Sequence, residues 1–375
     1  MIFDRLAHRS ARRHTLATFE AFRDGGGRAT TTTGSVVLVV SSLLLYALIL
    51  ALFGAGVWLC TVSVPGAVAG LCLIALAVLL RPRTGRVPRY ATEVTEAAAP
   101  QLHGLVREAA AVLGAPVPRV YVEGDEFGAA AGVVGLRRRP VLVLGLPLWN
   151  ALPRQSRAAL LGHELGHFVN GDPRRGLLVQ PSLTTLAELD ALLLPEPTRD
   201  TGGGSDAFLV NWVAVPILNV VKAVLRALLW GPRTALAVLA LREGQRAEYR
   251  ADLVAARLAG RAATVDLLDV IVVRDSLMML IKRDARAGRP VAEWPETTRQ
   301  LLAELRPQLA ARREAATERD TALFATHPPA GLRARLVEAT AGGSAALVLD
   351  AARNERIDAE LAKHSAGSAR TLRAL

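Results

Sequence analysis

The residues most able to do chemistry form the run His163-Glu164-Leu165-Gly166-His167. Two histidines four positions apart lie one above the other on a helix face, so both imidazoles reach one metal ion. The glutamate that follows the first histidine is angled towards a water molecule on that metal. An apolar stretch precedes the run and Asn170-Gly171-Asp172 follows it, a context that argues against two incidental histidines on a helix surface. The run therefore predicts a metal site with an adjacent general base.

A catalytic zinc site needs a third protein ligand and an open position for water. The next histidine after His167 is His327, which stands alone, and the other candidate is a glutamate on a later helix. Residues 246–252 read as such a helix, with Glu248 and Asp252 one turn apart on one face. We predict that Glu248 binds the metal and that Asp252 accepts a hydrogen bond from the far nitrogen of a ligand histidine. The alternative is a solvated helix whose two acids pair with neighbouring arginines.

Several elements must position these residues. Pro153 opens a helix that runs through both histidines and ends at Asn170-Gly171. The apolar runs Arg119 to Val122 and Pro140 to Leu144 predict strands of a small sheet, and residues 92–113 predict an amphipathic helix. Further helices are predicted over residues 246–285 and 293–320 and in the Ala-rich tail beyond residue 340, and a flexible loop over residues 196–206.

An apolar segment at residues 208–241 allows three interpretations. Its polar residues recur at helical spacing on one face, and Pro232 interrupts the run; those residues are Asn211, Asn219, Lys222 and Arg226. The segment is an amphipathic helix packed on the catalytic core or lying at a membrane surface, a further membrane crossing or pair of crossings, or an ordinary buried helix. The sequence leaves these three open.

A longer apolar stretch near the N-terminus predicts a membrane anchor. None of the 52 residues between Arg28 and Arg81 is charged. Because a bilayer core takes ~20 helical residues per crossing, the stretch fits two spans, Ser35 to Cys60 and Val64 to Leu80, with Val64-Pro65-Gly66 as the turn. The run starts too late and is too long for a cleaved signal peptide.

The basic residues flank this hairpin. The chain has 375 residues, a net charge of +11 and a positive mean hydropathy of +0.29. Residues 1–90 contain ten Arg and three acidic residues, which is +7 of that total. By the positive-inside rule, the N-terminus and everything after Arg81 lie in the cytoplasm. No basic-aromatic stripe follows Arg89, which argues against nucleic-acid binding. Cys60 and Cys72 both fall in the spans, so neither a disulfide framework nor a cysteine metal cluster is expected.

Three segments carry a family resemblance. HELGHFVNGD, then EYRAD, then FATHPP with Arg333 six residues after the histidine, resemble the signatures of the HtpX-like and CAAX prenyl protease family of membrane metallopeptidases. The resemblance covers roughly residues 90–340. It implies one zinc ion per subunit, with His163, His167 and Glu248 as ligands, Glu164 as general base, Asp252 hydrogen-bonded to a ligand, and His327 and Arg333 near the oxyanion. For His327-Pro328-Pro329 the alternative is a capped turn before a helix.

The resemblance also implies a fold: α+β, mainly α, a zincin (gluzincin-like) protease domain with a small sheet, anchored by an N-terminal transmembrane hairpin. The predicted domains are a basic cytoplasmic segment 1–34, the hairpin 35–80, the protease domain 90–340 and a helical tail 341–375. The family's Asn-Ala-Phe-like segment beside the substrate-binding strand corresponds here to Asp125 to Ala129. Substrate docking is expected along Pro140 to Leu144.

The expected function is zinc-dependent hydrolysis of peptide bonds at the bacterial inner membrane, with the protease domain facing the cytoplasm. Peptides or proteins, chiefly membrane proteins in quality control, are the expected substrates and the lipid bilayer a further partner. Two to four crossings do not build the membrane chamber of the CAAX prenyl proteases, so prenylated substrates are not expected. A site-2-type intramembrane protease is disfavoured because charged residues bracket the histidine motif, namely Arg154, Arg157 and Asp172 to Arg175. The remaining alternative is a catalytically silent membrane scaffold or regulator on a zincin fold.

Overall fold

A computed structural model describes residues 2–24, 32–81, 86–135, 137–195, 215–319, 327–340 and 342–374. These residues are mostly helical and include one small mixed sheet, so the α+β, mainly α composition is confirmed. They form two compact units. Unit 1 draws on Met1–Thr30, Gly85–Arg174 and Leu241–Leu375, and unit 2 on Thr31–Thr84 and Arg175–Ala240.

Within the described residues, the α-helices are numbered in chain order. They are α1 (Ile2–Asp24), α2 (Thr33–Val62), α3 (Val64–Leu79), α4 (Pro100–Leu113), α5 (Leu146–Ala151), α6 (Arg154–Val169), α7 (Asp172–Leu192), α8 (Val215–Ala259), α9 (Arg261–Val272), α10 (Arg274–Arg286), α11 (Trp294–Leu305), α12 (Leu309–Arg319), α13 (Ala330–Ala339) and α14 (Ala351–Ala374). Short 3-10 turns lie at Val291–Glu293 and Arg306–Gln308.

The sheet of unit 1 has the strand order β1-β2-β4-β3, where β1 is Thr92–Glu93, β2 is Arg119–Glu123, β3 is Ala129–Val134 and β4 is Arg139–Gly145. Strands β2 and β4 pair in parallel, whereas β1 and β3 add antiparallel on either side. Both predicted strands are confirmed. However, Pro140 to Leu144 lies in the central β4, whose two edges are both paired, so a substrate cannot add there. Among the described residues, β3 is the strand next to β4 with a free outer edge. The sequence analysis did not predict this strand.

Helix α4 begins later than predicted. Residues 92–113 were expected to be helical throughout, but Thr92–Glu93 pairs with β2 and the helix starts at Pro100. Proline suits a first helical turn, because its missing N–H would have no partner in the helix there. Gly114, with φ of +67°, ends the helix in the left-handed conformation that glycine adopts without strain. The C-terminal boundary was therefore predicted correctly.

Helix α6 carries the histidine motif through the centre of unit 1. It starts after Pro153 and ends before Gly171, which has a φ of +72°, as the sequence predicts. Every residue from Ser156 to Gly166 is buried. The helix packs among the apolar residues of α4, α5, α9 and the sheet, so its orientation is fixed on all sides.

Helix α8 is continuous over 45 residues from Val215 to Ala259. Pro232 was expected to interrupt the apolar run, but it lies inside the helix. A proline removes only its own N–H hydrogen bond and bends a helix without necessarily ending it. The residues of α8 up to Ala240 belong to unit 2 and those from Leu241 to unit 1. The described residues do not include 196–214. The loop predicted at 196–206 and the start of the 208–241 segment, with Asn211, therefore lie outside them.

The tail helix α14 is part of the core of unit 1. Its apolar residues Ile357, Leu361 and Leu372 are fully buried in the main apolar cluster. The Glu360 carboxylate accepts hydrogen bonds from the backbone N–H groups of Gln101 and Leu102 at 2.8 and 3.0 Å, which caps the N-terminus of α4. The predicted helix in the tail is thus confirmed, and its Glu360 also stabilises α4, whose capped residues lie 259 and 258 positions earlier in the sequence.

In unit 2, α2 and α3 form the expected pair of apolar helices. Ser63 separates them, and its hydroxyl accepts a hydrogen bond from the Gly66 N–H at 3.1 Å, so Pro65 lies in the first turn of α3. A Cβ added at Gly70 would lie 2.4 Å from the Gly56 carbonyl oxygen. The two glycines therefore permit a close helix contact of the kind common in membranes.

Length and composition make α2 and α8 candidates for membrane crossing, and α3 is a shorter apolar helix. Most large apolar side chains of α2 are exposed on the surface of the protein. On α8, Arg226 and Arg233 both pair with Asp190 of α7, at 2.8 and 2.7 Å. The polar face recognised in the 208–241 segment is thus partly satisfied by another helix of unit 2, and the three interpretations of that segment stay open.

Candidate metal centre

The two motif histidines lie side by side on α6. The ring centroids of His163 and His167 are 5.0 Å apart, and the rings are almost perpendicular at 87°. This arrangement follows from a spacing of one helical turn. His163 is buried and His167 is half-buried. A pair of imidazoles is thus held at one place by a helix that cannot rotate.

Two glycines of α6 bring α8 close to the histidines. A Cβ added at Gly162 would lie 2.9 Å from Ala255 Cα, and one added at Gly166 would lie 3.0 Å from Ala251 Cα. Gly162 has no room for a Cβ, because real Cβ atoms essentially never approach a backbone atom so closely, and a Cβ at Gly166 would require the α8 backbone to move by a few tenths of an ångström. The small residues on both helices let the backbones approach, and this contact places Glu248 against the histidine pair.

The three predicted ligands converge. One carboxylate oxygen of Glu248 lies 3.5 Å from His163 Nε2, and the other lies 3.5 Å from His167 Nε2. The three ligand atoms all lie within 4.8 Å of one another. A tetrahedral zinc ion with bonds of ~2.0–2.2 Å separates its ligand atoms by ~3.3–3.6 Å. The nitrogen and oxygen donors and both His–Glu distances therefore fit a zinc ion.

The opposite nitrogens of the two histidines each face a carboxylate. His163 Nδ1 lies 3.0 Å from Asp252 Oδ1, as the sequence analysis proposed for Asp252. His167 Nδ1 lies 3.2 Å from Asp172 Oδ2, a partner that the sequence analysis missed. Its signal was present, since Asp172 follows the glycine that ends the motif helix. A carboxylate on Nδ1 fixes the tautomer in which Nε2 is free to bind a metal.

Arg333 of α13 pairs with the carboxylates of Asp252 and Glu248. Its guanidinium donates to both oxygens of Asp252, at 2.7 and 2.8 Å, and Nη1 lies 3.4 Å from Glu248 Oε2. Arg333 is buried. A bidentate pair of this kind holds both partners in one orientation. Arg333 therefore lies at the metal centre, where the sequence resemblance had placed it, with its hydrogen bonds directed to Asp252.

His327 approaches the centre from the solvent side. Its Nδ1 lies 3.0 Å from Glu248 Oε2, and 65% of its side chain is exposed. The preceding residues of the same signature, 324–326, lie outside the described residues. His327 thus differs from the buried histidine pair on α6, because its side chain is exposed and lies on the solvent side of the centre.

Charges at the centre favour a bound cation. Burial disfavours the charged form of Glu248, but Arg333, His163 and His327 outweigh this and hold its pKa well below the usual value. Burial lowers the pKa of His163, yet hydrogen bonds to Asp252 and Glu248 raise it to about 10. The carboxylates of Asp252 and Glu248 cause the upward shift in the pKa of His163, whereas Arg333 is the largest cause of the downward shift in the pKa of Glu248. Buried carboxylates of this kind favour positive charge beside them.

A cleft of about 370 Å³ opens beside the ligands. Its polar lining includes His163, Glu164, Glu248, His327 and Arg333, and its apolar lining includes Phe127, Leu148, Leu160, Leu267 and Ile271. Glu164 is buried and lies in the cleft next to the first ligand. Phe127 to Ala129 also line it, so the segment expected beside the substrate-binding strand leads from the cleft directly into β3.

Replacing Asp252 by Asn tests the hydrogen bond behind the first ligand. We expect Asp252→Asn to lower zinc affinity roughly 10- to 100-fold, as loss of such partners does in other metal sites. The measurement is competition for zinc with a chelator of known affinity. Asp275→Asn, an exposed substitution on α10, is the matched control. Unchanged zinc affinity in Asp252→Asn would show that Asp252 does not support the ligand.

Comparison with known families supports this geometry. A sequence model described as peptidase family M48 matches residues 96–341, which is about two thirds of the chain. The matched range includes every residue of the centre described above.

Individual relatives are similar over shorter stretches. A protein named "Protease HtpX homolog" from Syntrophobacter fumaroxidans is 29% identical over 140 residues, which is 34% of this chain and 48% of the relative. A "Protease HtpX" from Xanthomonas oryzae pv. oryzae is 28% identical over 173 residues, 44% of this chain and 54% of the relative. The chain thus matches about half the length of these relatives. No solved structure was found to match it.

Proposed function

The chain belongs to peptidase family M48 and is HtpX-like, and from that premise we propose that it is a membrane-anchored zinc endopeptidase. One observation carries the proposal. His163, His167 and Glu248 converge within 4.8 Å, and Glu164 lies beside them in an open cleft. A full ligand set with an adjacent carboxylate is what a hydrolase needs and what a silent scaffold does not.

In the proposed site, His163, His167 and Glu248 would hold one zinc ion, and the chemistry it would supply is a lowered pKa of water and a polarised peptide carbonyl. Glu164 accepts the proton of the attacking water and later donates it to the leaving amine. Its position on α6, next to a ligand but outside the ligand set, suits this role. Glu164 is buried by its neighbours except where it lines the cleft, so its carboxylate is directed to the place where the water would bind.

Arg333 and His327 have different roles in this proposal. Arg333 is already engaged by Asp252 and Glu248, so it acts by holding the two carboxylates in place. His327 is exposed and lies at the open end of the cleft; its Nδ1 faces Glu248, which leaves the Nε2–H side of the ring for the developing oxyanion. We therefore assign oxyanion stabilisation to His327 rather than to Arg333.

The substrate is proposed to bind in extended form along β3. This strand lies at one end of the sheet and its first residues adjoin the cleft. Main-chain hydrogen bonds to a strand edge give affinity with little dependence on sequence. Low sequence dependence suits a protease that clears many different damaged proteins. We propose damaged or misassembled membrane proteins as the substrate class.

Anchoring in the inner membrane is proposed from the α2–α3 pair and its flanking arginines. The apolar residues of α2 are exposed, and arginines precede and follow the pair. The positive-inside rule then orients the protease domain towards the bacterial cytoplasm. The domain boundaries 1–34, 35–80, 90–340 and 341–375 belong to the same proposal.

Digestion of casein and of a purified membrane protein tests the enzymatic part. We expect cleavage by the zinc-loaded protein, loss of cleavage with a chelator, and recovery when Zn²⁺ is restored. A parallel preparation of Glu164→Gln reports contaminating proteases. Failure to cleave either substrate with zinc bound would favour the silent scaffold, and cleavage that resists the chelator would exclude the metal mechanism.

Protease protection of epitope tags tests the topology. One tag is inserted at residues 202–204, outside the described residues, and another is placed after residue 375. We expect both tags to be protected in intact spheroplasts and digested after lysis. Digestion of the first tag in intact spheroplasts would place residues 202–204 outside the cytoplasm. The chain would then cross the bilayer between Arg81 and the tag, which contradicts the positive-inside assignment.

A further inference from the structure

Helix α1 packs directly behind the metal centre. The sequence analysis treated residues 1–34 only as a basic segment, but the last turns of α1 bury Phe19 and Phe22 in unit 1. Both rings contact Tyr249, with centroid distances of 5.9 and 5.4 Å. Tyr249 is fully buried. An aromatic cluster thus joins the N-terminal helix to α8.

The members of this cluster are chain neighbours of the site residues. Tyr249 directly follows the ligand Glu248 on α8. The cluster also contains Leu332 and Leu336 of α13, and Leu332 directly precedes Arg333. The two helices that supply the third ligand and the buried arginine are therefore packed against the same pair of phenylalanines.

This arrangement restricts the position of Glu248. The glycines of α6 fix α8 from the side of the histidines, while Phe19 and Phe22 pack on Tyr249. Without the two rings, Tyr249 would lose two of its packing partners, and α8 would be held less tightly on that side. A rotation of α8 moves the Glu248 carboxylate away from the histidine nitrogens, because adjacent residues on a helix turn together.

We propose that Phe19 and Phe22 are positioning residues for Glu248, and that docking of α1 on Tyr249 sets the zinc affinity of the site. The inference rests on the proposed zinc site and adds to it a structural element outside the matched residues 96–341. It concerns residues that do not touch the metal or the cleft. They act through Tyr249 on the ligand next to it.

The test uses the full-length chain with Phe19→Ala and Phe22→Ala combined. The zinc dissociation constant, measured by competition with a chelator, is expected to rise roughly 10- to 100-fold, as it does when support for a ligand is lost. Glu20→Ala is the matched control, because this residue is exposed on the same helix between the two phenylalanines. A dissociation constant equal to that of the unmodified chain would overturn the inference.

A second measurement separates positioning from general loosening of unit 1. In a Glu248→Ala background, the two alanines should cost no further zinc affinity, because their effect passes through the missing carboxylate. A further loss of the same size in that background would overturn the inference. Phe19→Leu with Phe22→Leu covers the case in which the alanine variant fails to fold. It keeps apolar burial but removes the ring contacts, and is expected to show an intermediate loss; unchanged affinity in this folded variant would contradict the role of the rings.

The inference and the proposed function fail in different ways. If the unmodified chain binds no zinc, the proposed site itself is wrong. If the unmodified chain binds zinc and the phenylalanine variants bind it equally well, only the positioning role is wrong.

Discussion

Glu164→Gln is expected to reduce peptide hydrolysis by roughly 10²- to 10⁴-fold, the usual contribution of a positioned general acid–base. Glutamine has the shape of glutamate but does not accept a proton from water at neutral pH. Because Glu164 is not among the three ligand atoms, zinc should remain bound at one ion per chain. The measurement is kcat/KM on a peptide substrate, together with zinc content by atomic spectroscopy.

Glu304→Gln provides the control, since this residue is exposed on α11. It removes one carboxylate from unit 1 without entering the cleft, and its activity should equal that of the unmodified chain. A purified Glu164→Gln protein that still hydrolysed peptide at an unreduced rate would end the general-base assignment. Loss of zinc from the same variant would instead mean that Glu164 supports the ligands.

Glu248→Gln is expected to weaken zinc binding by more than roughly 100-fold. Loss of a residue that only hydrogen-bonds to a ligand costs roughly 10- to 100-fold, and this substitution alters a ligand itself. The substitution also removes a negative charge that faces Arg333 at 3.4 Å in a buried position. Leaving a buried charge with less compensation costs about 3–5 kcal/mol when a pair is broken completely. Asp252 still pairs with Arg333, so we expect a smaller loss of stability than that.

Zinc content after dialysis against a chelator, and the urea midpoint of the zinc-free protein, measure these two effects separately. Glu243→Gln on the same helix is the control for zinc content, as its carboxylate pairs with Arg246 at 2.9 Å outside the centre. Full zinc occupancy together with full activity in Glu248→Gln would place the third ligand elsewhere.

Local motifs predicted the centre better than the elements around it. The histidine pair was recognised from its spacing of one turn on α6, and Glu248 from its spacing of one turn to Asp252 on α8, because the geometry within a helix is fixed. Asp172 was missed as a partner of His167, because it approaches through a turn after α6. A turn conformation depends on tertiary packing, which spacing alone does not describe.

The strand at the sheet edge shows a second limit. β3 has the sequence AAAGVV, whose alanines and glycine carry little strand preference. It becomes a strand because it pairs with the otherwise unpaired edge of β4. That edge forms only when the sheet folds, so the local sequence of β3 does not reveal it. The same reasoning applies to Pro232, where the surrounding turns of α8 maintain a helix through a residue that disfavours one. In each case tertiary contacts outweigh a local preference.

The position of α14 has a consequence for the order of events during synthesis. The core of unit 1 includes Ile357, Leu361 and Leu372, and α4 is capped by Glu360. Because a chain leaves the ribosome from its N-terminus, the histidine motif emerges long before these residues do. Unit 1 can therefore reach its complete packing only after residues 351–374 have emerged. In a nascent chain, the core that holds α6 would thus be completed only when the last helix packs, and the proposed hydrolytic centre would form late in synthesis.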